Sequence, residues 1–177
     1  MIHACFLVVY NVIRIAINKL AHWGKFDVHW IQRISPLCAL KIFRQGKMRV
    51  ERNCEFAAYC DFEVHDEGVL EIGEGTYFNR YCMISAHEHV TIGKHCMFGP
   101  GVKIFDNNHK HSQETGVSSE LNKSPIFIGD NSWIASDVII LKGTNIGKNC
   151  VIGAGCIVRG VIPGGSVVKT ERKLTII

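Results

Sequence analysis

The stretch IGDNSWIASDVIILKGTNIGKNCVIGAGCIV, residues 128–158, decides the fold. Within it Ile128, Ile134, Ile140, Ile146, Ile152 and Val158 recur every six residues. A helix repeats near 3.6 residues and a plain strand at 2, so this period matches neither. It matches short strands separated by tight corners, with one large inward side chain per strand. The rhythm continues upstream through Ile92, Phe98 and Ile104 and through Ile72, Phe78 and Ile84, with a fainter echo at Val50, Phe56 and Phe62. Four residues after each large side chain comes a second, usually smaller one: Thr76, Cys82, Cys96, Val102, Ser132, Val138, Thr144, Cys150 and Cys156. The position directly after the large one is often Gly or Ala, as at Gly73, Gly93, Gly99, Gly129, Ala135, Gly147 and Gly153. Glycine there is expected to supply corner conformations closed to other residues. Three faces of six residues give a coil of 18, so 128–145 and 146–163 form two coils, each rising about 4.8 Å and buried only against its neighbours. The predicted class is all-β, a parallel β-helix.

Composition agrees. The chain has 177 residues, 47% apolar and 20% charged, enough for one domain with a real core and not a disordered tail. No apolar run reaches the roughly 18 residues a membrane-spanning helix needs. Eight cysteines could mean disulfides or zinc, yet Cys54, Cys60, Cys82, Cys96, Cys150 and Cys156 take the small inward slot. Cys38 joins them if Ile34 begins an earlier hexad, and no CxxC pair occurs. Reduced thiols packed as small hydrophobes fit a reducing compartment, hence a cytoplasmic chain. The net charge of +4 is uneven: residues 1–49 hold eight Lys or Arg against the single acid Asp27. That is not the uniform basic surface of a nucleic-acid binder.

Read as Ile-Gly-Asp-Asn-Ser-Trp-Ile-Ala at 128–135 and Ile-Gly-Lys-Asn-Cys-Val-Ile-Gly-Ala-Gly at 146–155, the chain resembles the hexapeptide-repeat acyltransferases. Within them it is most similar to the maltose, galactoside and polysaccharide O-acetyltransferase branch, over about residues 50–168. The resemblance implies a left-handed β-helix, a homotrimer with active sites between subunits, acetyl-CoA as cosubstrate and no metal.

After Ile104 the register breaks and resumes at Ile128. The polar segment between them, loop 106–125, leaves a rigid solenoid, where such loops are usually functional. Its Asp106-Asn-Asn-His109 start resembles the family motif with His109 at the catalytic position. A sugar hydroxyl attacking a thioester must lose its proton, and a neutral imidazole, ordinarily of pKa about 6.5, is suited to take it. A carboxylate or carbonyl would fix the other ring nitrogen, with Asp106 the nearest candidate. By resemblance Asn79, Trp133 and His111 fall to the acceptor side. Ala135 and Ala154 would let the backbone approach the pantetheine arm, and Arg159 and Lys169 would meet coenzyme phosphates. The family's Lys-Asp-Val/Ile-Pro run is Gly160-Val161-Ile162-Pro163 here, and its Ala-Gly-x-Pro-Ala stretch is replaced by Lys169-Thr-Glu-Arg-Lys173.

Other readings stay open: a non-catalytic interaction scaffold, an acetyltransferase for an amino or antibiotic acceptor, and a metal-dependent lyase. His-x-His occurs at His87/His89 and His109/His111, but the zinc carbonic anhydrases built on this solenoid space two ligand histidines five apart, a spacing absent here.

Residues 2–20 are apolar except for Asn11, Arg14 and Asn18, with His22 beyond, on one helical face; Phe6, Val9, Ile13, Ile17 and Leu20 lie opposite. With no clear cleavage site this does not make a convincing signal peptide. Two placements fit: an amphipathic helix on an anionic membrane surface, the inner face of the cell membrane, or a helix docked on the β-helix end or on the other subunits. The expected organisation is thus a helical segment 1–33, a β-helix 34–168 and a tail 169–177.

Overall fold

The computed structural model describes residues 2–171, and for 2–6 the backbone only. Phe6 of the expected apolar helix face and residues 172–177 of the expected tail lie outside the described side chains and residues.

Among the described residues one helix, α1 (Ile2–Ala21), precedes a three-sided parallel β-helix. The first face stacks Phe26–Val28, Lys47–Val50, Val69–Ile72, His89–Ile92, Ile126–Ile128, Asn145–Ile146 and Val161–Ile162. The second stacks Arg33–Ile34, Glu55–Phe56, Tyr77–Phe78, Met97–Phe98, Trp133–Ile134, Val151–Ile152 and Val167–Val168. The third stacks Ala39–Ile42, Asp61–Val64, Met83–Ala86, Lys103–Phe105, Ile139–Leu141 and Ile157–Val158. The chain thus makes six full coils and two faces of a seventh. Like side chains meet in register, and Phe56, Phe78, Ile134 and Ile152 form one buried column. Phe78 stacks on Phe98 with ring centroids 4.2 Å apart, and Phe56 and Phe62 meet edge to face at 5.0 Å.

The β-helix begins at Phe26, earlier than the boundary at 34 expected from the hexads. Val28 pairs with Val50 and Val50 with Ile72, so the early coils hold 22 residues and escape a strict count of six. The extra residues lengthen the first and third faces to four-residue strands with two inward side chains, such as Phe62 with Val64 and Leu70 with Ile72.

The corner glycines act differently from the expectation. The left-handed backbone sits three residues after the large side chain, as at Gly75 and Gly101 but also at Asn131 and His95. Gly73 and Gly129 are small because the next coil's backbone is too close: a Cβ on Gly73 would lie 2.6 Å from the carbonyl carbon of Gly93. The small inward slots tie coils together. Thr76 Oγ1 donates to the Gly93 carbonyl at 2.9 Å and accepts from Cys96 N–H at 3.2 Å. Cys96 Sγ donates to the Gly129 carbonyl at 3.3 Å. The seven cysteines from Cys38 onward are buried free thiols, and burial pushes Cys54 and Cys96 up to about 11, away from thiolate chemistry.

Helix α1 caps the first coil with its polar face inward. Asn11 is fully buried and donates to the Ile34 carbonyl at 2.9 Å; Arg14 donates to the carbonyls of Ser35 at 3.3 Å and Cys38 at 2.6 Å. The Ile34 and Cys38 carbonyls lie at the end of the stack, where no preceding coil covers them, and the Ser35 carbonyl also accepts from Cys38 N–H at 3.0 Å.

Candidate active site

The segment expected as a loop is a β-hairpin, Asn107–Ser112 antiparallel to Gly116–Lys123. Its tip is closed by Ser112 Oγ, which accepts from Thr115 N–H at 3.0 Å, and a Lys110–Glu120 ion pair of 2.8 Å crosses it. Ile104 pairs directly with Ile140 across the excursion, so the solenoid continues undisturbed beneath it. His109 stands exposed on the hairpin, opposite Leu121. Its Nδ1 lies 3.0 Å from the Ser118 carbonyl oxygen. A carbonyl only accepts, so Nδ1 carries the hydrogen and Nε2 keeps a free lone pair. His109 is therefore held in the tautomer that can take a proton.

Asp106 has a different task from the one expected of it. It is fully buried where the chain leaves the third face. Its carboxylate accepts from His87 N–H at 2.8 and 3.1 Å, Glu88 N–H at 2.7 Å and Asn107 Nδ2 at 3.1 Å. The charge pins the hairpin root to the coil below, and the Ser118 carbonyl takes the orienting role.

A second anchor was not read from the sequence. Lys123, the last hairpin residue, pairs with Asp66 at 3.0 Å, and Asp66 also contacts His87 at 3.3 Å and Arg44 at 3.2 Å. The Lys123 ammonium, and then His87, hold the Asp66 carboxyl below the usual carboxylate range. The His87 ring stacks on His65 at 4.4 Å and His65 on Phe43 at 4.5 Å. The signal was the 22-residue spacing of 43, 65 and 87, one early coil each.

The remaining candidates fall into two groups. Arg159 joins Asn107, Asn108, Leu141 and Lys142 around a cleft beside the hairpin, on the edge between third and first faces. His111 lies exposed on the hairpin itself. Asn79, Ala135, Ala154 and Lys169 follow second-face strands and so lie along the edge between second and third faces. Asn79 Oδ1 accepts from Arg80 N–H at 2.8 Å, and Lys169 reaches Glu171 at 3.7 Å. A Cβ on Gly99 would fall 2.6 Å from Ser136 N, so the coils at Ala135 stack as closely as glycine allows. Trp133 points outward from the second face, between Met97 and Val151, and is 53% exposed. One chain therefore does not bring His109 together with Asn79, Trp133, Ala135 and Ala154. His89, of the His87/His89 pair, contacts Glu71 at 3.1 Å, and the described residues contain no cluster of three or more metal-ligating side chains.

The bacterial transferase hexapeptide model (six repeats) matches residues 125–160. Over these residues the chain is similar to the hexapeptide-repeat transferases. A galactoside O-acetyltransferase of Escherichia coli is 43% identical over 74 residues, 42% of this chain and 36% of that protein. One from Lactococcus lactis is 38% identical over 78 residues, 44% of this chain and 38% of its own length. This hexapeptide-repeat chain thus spans less than half the length of these curated relatives. Among solved structures, a variant of AntD, an N-acyltransferase from Bacillus cereus in complex with dTDP and coenzyme A, superposes with a TM-score of 0.72. That match has 14% identity and covers 90% of this chain and 87% of the other, a likeness of fold.

Proposed function

We propose that this chain is an acetyl-CoA-dependent O-acetyltransferase acting on a sugar hydroxyl, in the assembly of surface or capsular polysaccharide. The observation that carries the reading is His109, exposed on the hairpin with Nδ1–H spent on the Ser118 carbonyl and Nε2 free. Nε2 takes the proton of the acceptor hydroxyl as its oxygen attacks the thioester carbonyl carbon. A C–O bond forms, the tetrahedral oxyanion is met by a hydrogen-bond donor, and the C–S bond breaks. The proton then passes to the departing thiolate, giving acetyl ester and free coenzyme A. No covalent enzyme intermediate is needed.

The separation of the two residue groups supports a homotrimer. The hairpin edge and the second–third edge of one prism face different directions, so a neighbouring copy must supply one of them. Exposed apolar side chains on the second and third faces, Met97 at 55% and Ile157 at 68%, together with Trp133, suit burial against that neighbour. In such a cleft Ala135 and Ala154 would leave room for the pantetheine arm, Arg159 and Lys169 would carry charge toward the phosphates, and Asn79, Trp133 and His111 would border the acceptor.

The test follows thiol release from acetyl-CoA over a panel of mono- and oligosaccharides and amino sugars. His109→Ala is expected to lower kcat by about 10²–10⁴ with the trimer intact. Full activity of that variant, or no thiol release with any acceptor, overturns the proposal.

A further inference from the structure

Helix α1 is docked the opposite way round from an ordinary surface helix, which buries its apolar stripe and shows its polar one. Here Asn11 is fully buried, Arg14 is half-buried, and both are spent on carbonyls of the first coil. The opposite stripe is left outside: Val9 is 59% exposed, Ile13 58%, Ile17 60% and Leu20 73%. Ile15, next to the polar stripe, supplies the helix's fully buried apolar contact with the core. Trp23, 81% exposed, and Trp30, 43% exposed, flank the same end of the prism. Such rings suit a boundary that is apolar on one side and wet on the other.

Charge selects the occupant. The first 26 residues contain no Asp or Glu, and Arg14, Lys19 and Lys25 accompany the helix. Lys19 sits 4.8 Å over the Trp30 ring, and its nearest carboxylate, Asp27, is 3.8 Å away. Lys25 donates to the Arg44 carbonyl, and Lys47, exposed on the second coil, has no ionic partner among the described residues. Arg33, Lys41 and Arg49 are answered by Glu55, Asp61 and Glu71 of the following coils, so the excess positive charge is concentrated at the helix end. A second copy laid head to head on this face would bring like charge against like charge. An anionic bilayer surface offers both an apolar layer for the stripe and negative headgroups for the rim. The helix is not long and apolar enough to cross a membrane, so it would lie in the interface plane.

We propose that the exposed face of α1, bordered by Trp23, Lys19, Lys25 and Lys47, is an interfacial binding surface for anionic lipid. It sits at the first coil, away from the hairpin that leaves the fourth, and the β-helix meets the bilayer end-on. This holds whatever reaction the chain performs.

The test is flotation of the full chain with vesicles of phosphatidylcholine alone or containing phosphatidylglycerol. The chain is expected to float with the anionic vesicles, to remain behind with the neutral ones, and to be released at about 0.5 M salt, where screening shortens to a few ångströms. Ile13→Asp/Ile17→Asp is expected to cut the bound fraction at least about tenfold while leaving thermal stability unchanged, because both side chains point away from the fold. Failure of the unaltered chain to float with anionic vesicles overturns the proposal, as does equal flotation of the double variant. If the double variant instead shrinks the assembly in solution, the face belongs to a second copy and the lipid reading falls.

Discussion

Asp106 separates two accounts of the hairpin. If the carboxylate positioned the catalytic ring, Asp106→Asn would leave stability alone and lower kcat by about 10⁴, as loss of an orienting carboxylate does elsewhere. The hydrogen bonds imply the opposite. The carboxylate oxygens face two backbone N–H groups and the Asn107 side-chain amide. A carboxamide keeps one accepting oxygen but turns an NH₂ toward at least one of those donors. His87 is more buried than Glu88, so its N–H is the donor that stands to be stranded. Losing one charge-assisted bond and stranding one donor costs about 1–3 kcal/mol for Asn, and about 2–4 kcal/mol for Ala, where nothing accepts. In a chain of this size that lowers Tm by about 3–10 °C for the Asn variant. The assay is thermal unfolding by circular dichroism, with thiol release from acetyl-CoA measured well below Tm on the same preparation. There kcat should fall by less than about tenfold, because the Ser118 carbonyl still holds His109. An unchanged Tm with kcat down by about 10⁴ would refute the assignment of Asp106 to the hairpin root.

Other expectations test the scaffold and its tether. Gly73→Ala places a methyl group against the Gly93–Lys94 backbone, 2.6–2.7 Å away, and should cost about 1–3 kcal/mol or more, seen as a lowered Tm, although Gly73 has no left-handed backbone to protect. The Asp66 carboxyl is held below its usual range, so its contribution to stability is present above the ordinary carboxylate value and is lost as pH falls through the depressed one. The protection of the hairpin amides, their exchange measured relative to the intrinsic rate at each pH, should therefore fall on acidification. Lys123→Met, which removes the largest cause of that depression, should shift the loss of protection to higher pH; an unchanged protection profile would show that the ion pair does not anchor the hairpin.

The late coils were legible because they obey one rule. From Ile128 to Val158 every face is six residues long, and the family model matches within the same region, at 125–160. The early coils hold 22 residues, with strands such as Asp61–Val64 burying two side chains and turns such as 65–68 absorbing the rest. A count of six loses phase there, which is why the first coil at Phe26 was missed. The motif drew attention to His109. Nothing drew attention to its partner, because a main-chain carbonyl nine residues away across a hairpin leaves no mark on side-chain identity. Asp106 misled for a related reason: nearness in sequence to a histidine says nothing about which way a buried carboxylate points. The stripe of Asn11 and Arg14 was read correctly as one face of a helix, but amphipathicity alone did not reveal that this face turns inward.

The hairpin enters and leaves the stack without altering its register, since Ile104 sits on Ile140 as Ile84 sits on Ile104. Scaffold and chemistry are therefore decoupled. The prism gains no stability from the excursion's length, and the entropy of closing a longer or shorter detour changes only slowly with the number of residues in it. Evolution, or an engineer, is free to rewrite the hairpin around His109 and the Ser118 carbonyl while the ladder of isoleucines beneath stays as it is.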